Sequence, residues 1–193
     1  LAPVQPPKKP EKKSSKKPQK NPIKKRDPKA NDIEVTKVAY PGSFDPITNG
    51  HCDIIQRIQP LFGEVTVLIS NSKRKNYLFT ADERKSLAQE ALRKIPNVKV
   101  EIHKGLTVDY LHKNKISVMV RGLRAVSDFE NELAMANMNK KLAPDIETMI
   151  VFSSPEHYYI SSHMVKEVAD YEGRIRDLVP PNVEKALKKK YKK

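Results

Sequence analysis

Beyond about residue 34, apolar residues fall into two alternating patterns: short near-continuous runs, and longer segments with a helical period. Val35-Thr36-Lys37-Val38-Ala39-Tyr40 predicts a strand, broken by Pro41-Gly42. A helical pattern follows from Gly50 to about Phe62, with Ile54, Ile55, Ile58 and Leu61 on one face. Steps of three and four residues put these positions on one stripe, the side that must be covered. Val65 to Ser70 is apolar almost throughout, as in a strand packed on both faces. Thr80 with Glu83 three residues on has the capping-box arrangement, each side chain serving the other's free backbone N–H, and predicts a helix toward Lys94. The series continues with a strand over Val98 to Ile102, a helix over Thr107 to Lys113, and a strand over Val118-Met119-Val120 that ends at Arg121-Gly122. A helix over Asp128 to Lys141 and a strand over Thr148 to Phe152 come next. Ser161 or Ser162 caps a helix to about Tyr171, and Pro180-Pro181 opens a last one through Leu187.

Strand and helix thus alternate five times. That order predicts an α/β fold, a Rossmann-like, doubly wound, parallel five-stranded sheet with helices on both faces. In such sheets ligands bind beyond the carboxyl ends of the strands. The search for chemistry narrows to residues 41–51, 71–79, 103–107, 121–128 and 153–162.

Composition changes the picture at the ends of the chain. The formal net charge is +14, and residues 1–34 carry eleven basic, four acidic and seven proline residues with little to bury. The predicted organisation is a Lys/Pro-rich basic tail over 1–34, disordered on its own, a domain over 35–188 and a short basic C-terminal tail over 189–193. The domain's length suffices for one sizeable core. No aromatic residue precedes Tyr40, so the tail has no means of stacking on bases. Three readings stay open for it: a solvated extension, backbone-only contact with nucleic acid or a large RNA-containing assembly, or contact with an acidic membrane surface or protein. Cys52 is the only cysteine, which excludes an intrachain disulfide and favours a reducing compartment, the cytoplasm or an organelle matrix after processing. No apolar run approaches the ~18 residues of a membrane span. Leu1-Ala2-Pro3-Val4 lacks the charged-then-apolar order of a secretory signal and an initiator Met, so processing and truncation both stay open.

The first strand-to-helix connection, Tyr40 to His51, is the richest in chemistry. It contains no G-x-G-x-x-G and no G-x-x-x-x-G-K-[ST]. It does place Gly42-Ser43 directly after a strand, where backbone can approach a ligand closely. Gly50-His51 falls at a helix start, where free N–H groups and the dipole favour an anion. A phosphate site and a proline-punctuated connection with an incidental histidine both fit this spacing.

Thr48-Asn49-Gly50-His51 resembles the T/H-x-G-H motif of the nucleotidyltransferase superfamily. Its context, Tyr40-Pro41-Gly42-Ser43-Phe44-Asp45-Pro46-Ile47, resembles bacterial-type phosphopantetheine adenylyltransferase. Val120 to Glu130, with Met135-Ala136-Asn137-Met138-Asn139, resembles that family's second signature, and Ile160-Ser161-Ser162 with Val165-Lys166-Glu167 its third. The likeness covers about residues 37–188 in the family's order.

The resemblance implies transfer of an adenylyl group from ATP to 4′-phosphopantetheine, giving dephospho-coenzyme A and pyrophosphate. Displacement would be in line, without a covalent intermediate, and Mg²⁺ would enter with ATP rather than on protein ligands. His51, Lys75 and Arg121 are implied as catalytic. Gly42, Ser43, Phe44, His51, Arg124, Glu132, Ile160, Ser161 and Ser162 are implied on the ATP side; Ser43, Lys75, Thr107, Arg121 and Asn139 on the acceptor side. A homo-oligomer, a hexamer, is implied as well. The sequence departs from the family at Asn131, at His163 and over Pro155 to Tyr159, where an altered hold on adenine is expected. The alternative from another class is a derived domain recruited as a structural subunit of an RNA-containing assembly. A weaker one is a relative acting on another phosphate, such as nicotinamide mononucleotide.

Overall fold

The computed structural model describes residues 36–72 and 74–192, so the predicted tail over 1–34 lies outside the described residues. The described residues belong to one compact unit, Glu34–Lys193. Its elements run β1 (Lys37–Gly42), α1 (Asn49–Ile58) with a 3-10 turn over Gln59–Leu61, β2 (Glu64–Ser70), α2 (Ala81–Leu92), β3 (Val98–His103) and α3 (Thr107–Lys113). Then come β4 (Val118–Leu123), α4 (Val126–Leu142), β5 (Glu147–Phe152), α5 (Ser162–Asp170) and α6 (Pro181–Tyr191). All four pairings are parallel, in the order β3-β2-β1-β4-β5. The expected alternation is therefore the one observed.

Among the boundaries that differ from expectation, those of β1 and α6 have clear local reasons. Pro41 and Gly42 lie inside β1, pairing with Leu68 and Ile69 of β2. On the other side, the β1–β4 ladder is confined to Val38↔Val118 and Ala39↔Met119. The missing N–H of Pro41 falls where β4 has already diverged, so no ladder bond is lost there. At the far end, α6 continues past Leu187 to Tyr191. Tyr191 packs on the core and Lys190 pairs with Glu83 at 3.0 Å, which makes residues 189–191 the last turn of a helix rather than a tail.

The divergence of β1 from β4 has a consequence for function. The chain winds one way from β1 to β3, then returns to the opposite side of β1 to build β4 and β5. At that reversal the two connections leave the sheet in opposite directions, and a crevice opens between them.

The two faces are unequal. Apolar residues of α1, α2, α5 and α6, among them Ile54, Ala88, Val165 and Val183, pack on Val38, Tyr40, Val67 and Val120. The other face buries Val108 and Leu111 of α3 with Ala39, Leu68 and Met119 from the sheet. Helix α4 contributes no buried residue. Its Phe129, Leu133, Met135 and Met138 are about half exposed or more, as are Phe152 and, to a lesser degree, Met149 on the edge strand β5.

Candidate active site

A cavity of about 340 Å³ fills the crevice above β1 and β4. It is lined by Gly42, Ser43 and Phe44 from the end of β1, His51 from α1, and Arg121 and Arg124 from the end of β4. Glu132 of α4 and Ile160, Ser161 and Ser162 before α5 complete the predicted set that it gathers. Tyr40, Ser153 and His163 also line it, although the sequence did not single out Tyr40 or Ser153. The N-termini of α1 and α5 both border the cavity, so two positive dipole ends point into one space.

The spacing of Thr48 and His51 has a structural reason. Thr48 is the N-cap of α1, and His51 at its third position completes a reciprocal capping box. The Thr48 N–H donates to His51 Nδ1 at 3.0 Å, and Thr48 Oγ1 lies 2.9 Å from the same nitrogen. A ring nitrogen that accepts from a backbone N–H carries no proton, which leaves Nε2 as the N–H donor. Burial, then the charges of Arg124 and Arg121, lower the His51 pKa to about 4. The side chain is thus neutral near pH 7, in one tautomer, with its donor free of the cap. The ring sits edge-on to Phe44, centroids 5.0 Å apart, which limits its rotation further.

Glycine is required at two points around this ring. A Cβ on Gly42 would come within 2.9 Å of the Phe44 ring. One on Gly122 would meet Ile54 Cδ1 at 2.7 Å and Tyr40 Oη at 2.8 Å. All three contacts are shorter than packed atoms tolerate, so the cavity floor needs bare backbone.

The two arginines are held differently. Arg121 makes a bidentate pair with Glu132, Nε and Nη2 each 2.6 Å from a carboxylate oxygen, and Nη1 donates to the Pro41 carbonyl at 2.7 Å. Burial alone would lower the Arg121 pKa, but the Glu132 hydrogen bonds and charge outweigh it and raise the value. The fork geometry fixes the guanidinium plane in the β1–β4 gap. Arg124 donates to Asp128 and, at 3.2 Å, to the Ile160 carbonyl, tying the β4 connection to the segment before α5. Glu132 lines the cavity with both oxygens engaged by Arg121, which makes it a holder of that arginine. Cys52, next to His51 in sequence, has its thiol pKa pushed up to about 12 by burial, so no thiolate nucleophile is on offer.

Three expected residues stand outside this cavity. Lys75 is exposed in the connection after β2, its N–H on the Ser72 carbonyl. Thr107 is the first residue of α3, whose cap is Leu106 without a side-chain hydrogen bond, so it neither caps nor lines. Asn139 sits along α4 with Nδ2 3.7 Å from Met119 Sδ. Thr107 opens α3 and Asn139 lies on α4 beside Met119, and neither lines the cavity that Glu132 of the same helix reaches. Sequence reasoning also missed Asp45. Its carboxylate accepts from the Leu78 and Phe79 N–H groups at 2.9 Å each and pairs with Lys166 at 2.9 Å. Nothing local marks that residue as a tie, because its partners are 33 to 121 positions away.

A crevice at the reversal of a parallel sheet, lined by cations, a neutral histidine donor and two helix N-termini, is a site for phosphorylated nucleotides. The cytidylyltransferase-like family model matches residues 39–168, and the fold and site define the chain as a nucleotidyltransferase. The phosphopantetheine adenylyltransferase of Bdellovibrio bacteriovorus is 58% identical over 160 residues, covering 82% of this chain and the whole of that protein. Those of Staphylococcus haemolyticus and Thermotoga neapolitana are each 49% identical, over 82% and 79% of this chain and 98% and 95% of their own lengths. The chain belongs to the phosphopantetheine adenylyltransferase family. A Plasmodium falciparum nicotinic acid mononucleotide adenylyltransferase complexed with NaAD shares the fold, with a TM-score of 0.60 at 17% identity over 80% of this chain and 95% of that one.

Proposed function

We propose that this cavity transfers the adenylyl group of ATP to the phosphate of 4′-phosphopantetheine by in-line displacement, giving dephospho-coenzyme A and pyrophosphate. One observation carries the assignment of roles: a neutral histidine donor, two arginines and two helix N-termini converge on one cavity whose single carboxylate is already neutralised. The acceptor phosphate is ionised at neutral pH, so no base has to take a proton from it. The protein's work is to align two anions and to disperse charge as the α-phosphorus becomes five-coordinate. The His51 Nε2–H donates to an α-phosphate oxygen and strengthens as negative charge grows there. Arg124, with the N–H groups at the starts of α1 and α5, holds the leaving pyrophosphate; Arg121, fixed by Glu132, meets the acceptor phosphate. Ser43 offers its hydroxyl between the two substrates, while Gly42, Phe44 and Ile160 to Ser162 enclose the nucleotide. Mg²⁺ enters as the counter-ion of the ATP phosphates, since the cavity's donors suit phosphate oxygens.

The acceptor arm runs over the strand ends toward the α3–α4 face, where Thr107 and Asn139 stand, and Lys75 swings in from its exposed connection. The chain self-associates, by resemblance as a hexamer, and the half-exposed apolar row of α4 with β5 supports this, because such surface on an edge strand calls for cover. No helix among the described residues is long and apolar enough to cross a membrane. A lone cysteine supports a reducing compartment, and the cytoplasm is the place we assign. No observation favours the structural-subunit alternative.

The test is release of pyrophosphate from Mg-ATP by the purified chain. Release is expected only when 4′-phosphopantetheine is added. Release with nicotinamide mononucleotide instead, or none with either acceptor, overturns the reading.

A further inference from the structure

Arg84 of α2 has no exposed surface. It forms no ion pair among the described residues, and Asp45, a carboxylate whose charge acts on it, already serves Lys166. Its guanidinium donates instead to uncharged oxygens: Nη1 to the carbonyls of Ser43 at 2.6 Å and Ser70 at 3.0 Å, Nε to that of Phe79 at 3.2 Å, and Nη2 to Asn71 Oδ1 at 3.1 Å. One face lies 4.0 Å over the Tyr77 ring. A cation buried this way is unfavourable unless hydrogen bonds compensate, and an apolar side chain of the same volume would avoid the cost. Stability alone therefore does not account for it.

What Arg84 joins is more informative. Ser43 ends the first strand's run into the cavity, Ser70 ends β2, and Asn71 to Phe79 is the connection that carries Lys75. A trans peptide bears its C=O and N–H on opposite sides, so a Ser43 carbonyl drawn inward to Arg84 turns the Phe44 N–H outward. Phe44 itself has φ +46°, a conformation costly for a bulky residue that persists only when its surroundings impose it.

The geometry points to Arg84 as a positioning residue for the transfer reaction: through the carbonyls of Ser43, Ser70 and Phe79 it sets the loop peptides whose N–H groups face the phosphates. It also puts a positive charge, with no ion-pair partner among the described residues, against the Ser43 carbonyl at the cavity's edge. Arg84 touches neither substrate; it acts through Ser43 and Phe44. This rests on the reaction proposed above.

The test compares wild type with Arg84→Lys, Arg84→Met and Asn71→Ala in the full chain, by steady-state kinetics, calorimetric Mg-ATP binding and thermal melting. All rates are taken well below each variant's melting point. Arg84→Met is expected to lose about 100-fold in kcat, with a much smaller rise in KM, and to bind Mg-ATP several-fold more weakly. Arg84→Lys keeps the charge and part of the hydrogen bonding, so it is expected to recover about tenfold of that loss. Asn71→Ala should cost a few-fold in kcat. Lower melting points with wild-type kcat and Mg-ATP affinity overturn the inference. If Arg84→Met does not fold, wild-type behaviour of both Arg84→Lys and Asn71→Ala overturns it equally. A wild type that releases no pyrophosphate sinks the proposed reaction instead, and Mg-ATP affinity across the same variants then decides the role of Arg84.

Discussion

On the face of the sheet covered by α1, α2, α5 and α6, apolar residues from all four helices close a continuous core, from Ile54 and Ile55 to Val183 and Leu187. On the opposite face the buried apolar cluster has eight members among the described residues, and α4, seventeen residues long, buries none of its own. The complete face carries His51, its cap Thr48 and the starts of α1 and α5, while Glu132 of α4 holds Arg121 in the same cavity. The incomplete face carries Thr107, Asn139 and a bare apolar row. Groups that must hold a charged transition state within tenths of an ångström need a support that is rigid before any partner arrives. A surface that receives a substrate arm or another copy of the chain gains its order from what covers it.

The largest expected effect lies on the complete face. His51→Ala should reduce kcat by about 10²–10³-fold, the usual cost of one transition-state donor, while loss of the reciprocal cap costs only about 1 kcal/mol of stability. Equal activity of that variant would remove the distinction between the faces. Next, Phe129→Asp with Leu133→Asp in α4 should dissociate the assembly to folded monomers, read by light scattering. An unchanged mass would show that the exposed row is not an interface.

Lowering pH probes the complete face more gently. The His51 pKa is about 4 in the fold against 6.5 for an ordinary histidine. The unfolded chain therefore binds the proton first, and stability present above about pH 6.5 is lost as pH falls toward 4. The melting point should decline over that window in wild type and decline less in His51→Gln. A steeper loss in His51→Gln would contradict the neutral tautomer. Thr48→Ala should cost about 1 kcal/mol and lower kcat less than His51→Ala does, because the ring loses its acceptor contact with the hydroxyl but keeps the backbone one. Deleting residues 1–34 should change kcat least of all.

Much of this was written locally. The five alternations, the cap at Thr80 and the start of α3 at Thr107 follow from periods and pairs within four residues, and each stands where its pattern put it. The cap at Thr48 was equally local and went unread as such, because a histidine at the third helical position is not the Glu or Gln that usually marks the box. The course of β1 through Pro41-Gly42 was not legible, since a proline is admissible there only because β4 has diverged on that side. The pattern of α4 misled in another way: its residues describe a helix, but whether its apolar positions meet this chain or another surface is not encoded in their spacing.

Sequence alone sufficed for the kind and order of the elements, the connections that border the chemistry, and the presence of His51, Arg121 and Arg124 in or beside those connections. Which of these groups face one another depended on folding in three dimensions. The bond from Ser162 to the Pro46 carbonyl spans 116 residues, that from Arg121 to Pro41 80, and that from Arg84 to Ser43 41. Caps and periods arise from contacts within a turn or two, whereas such long closures follow from the strand order β3-β2-β1-β4-β5, which alternation along the chain does not specify.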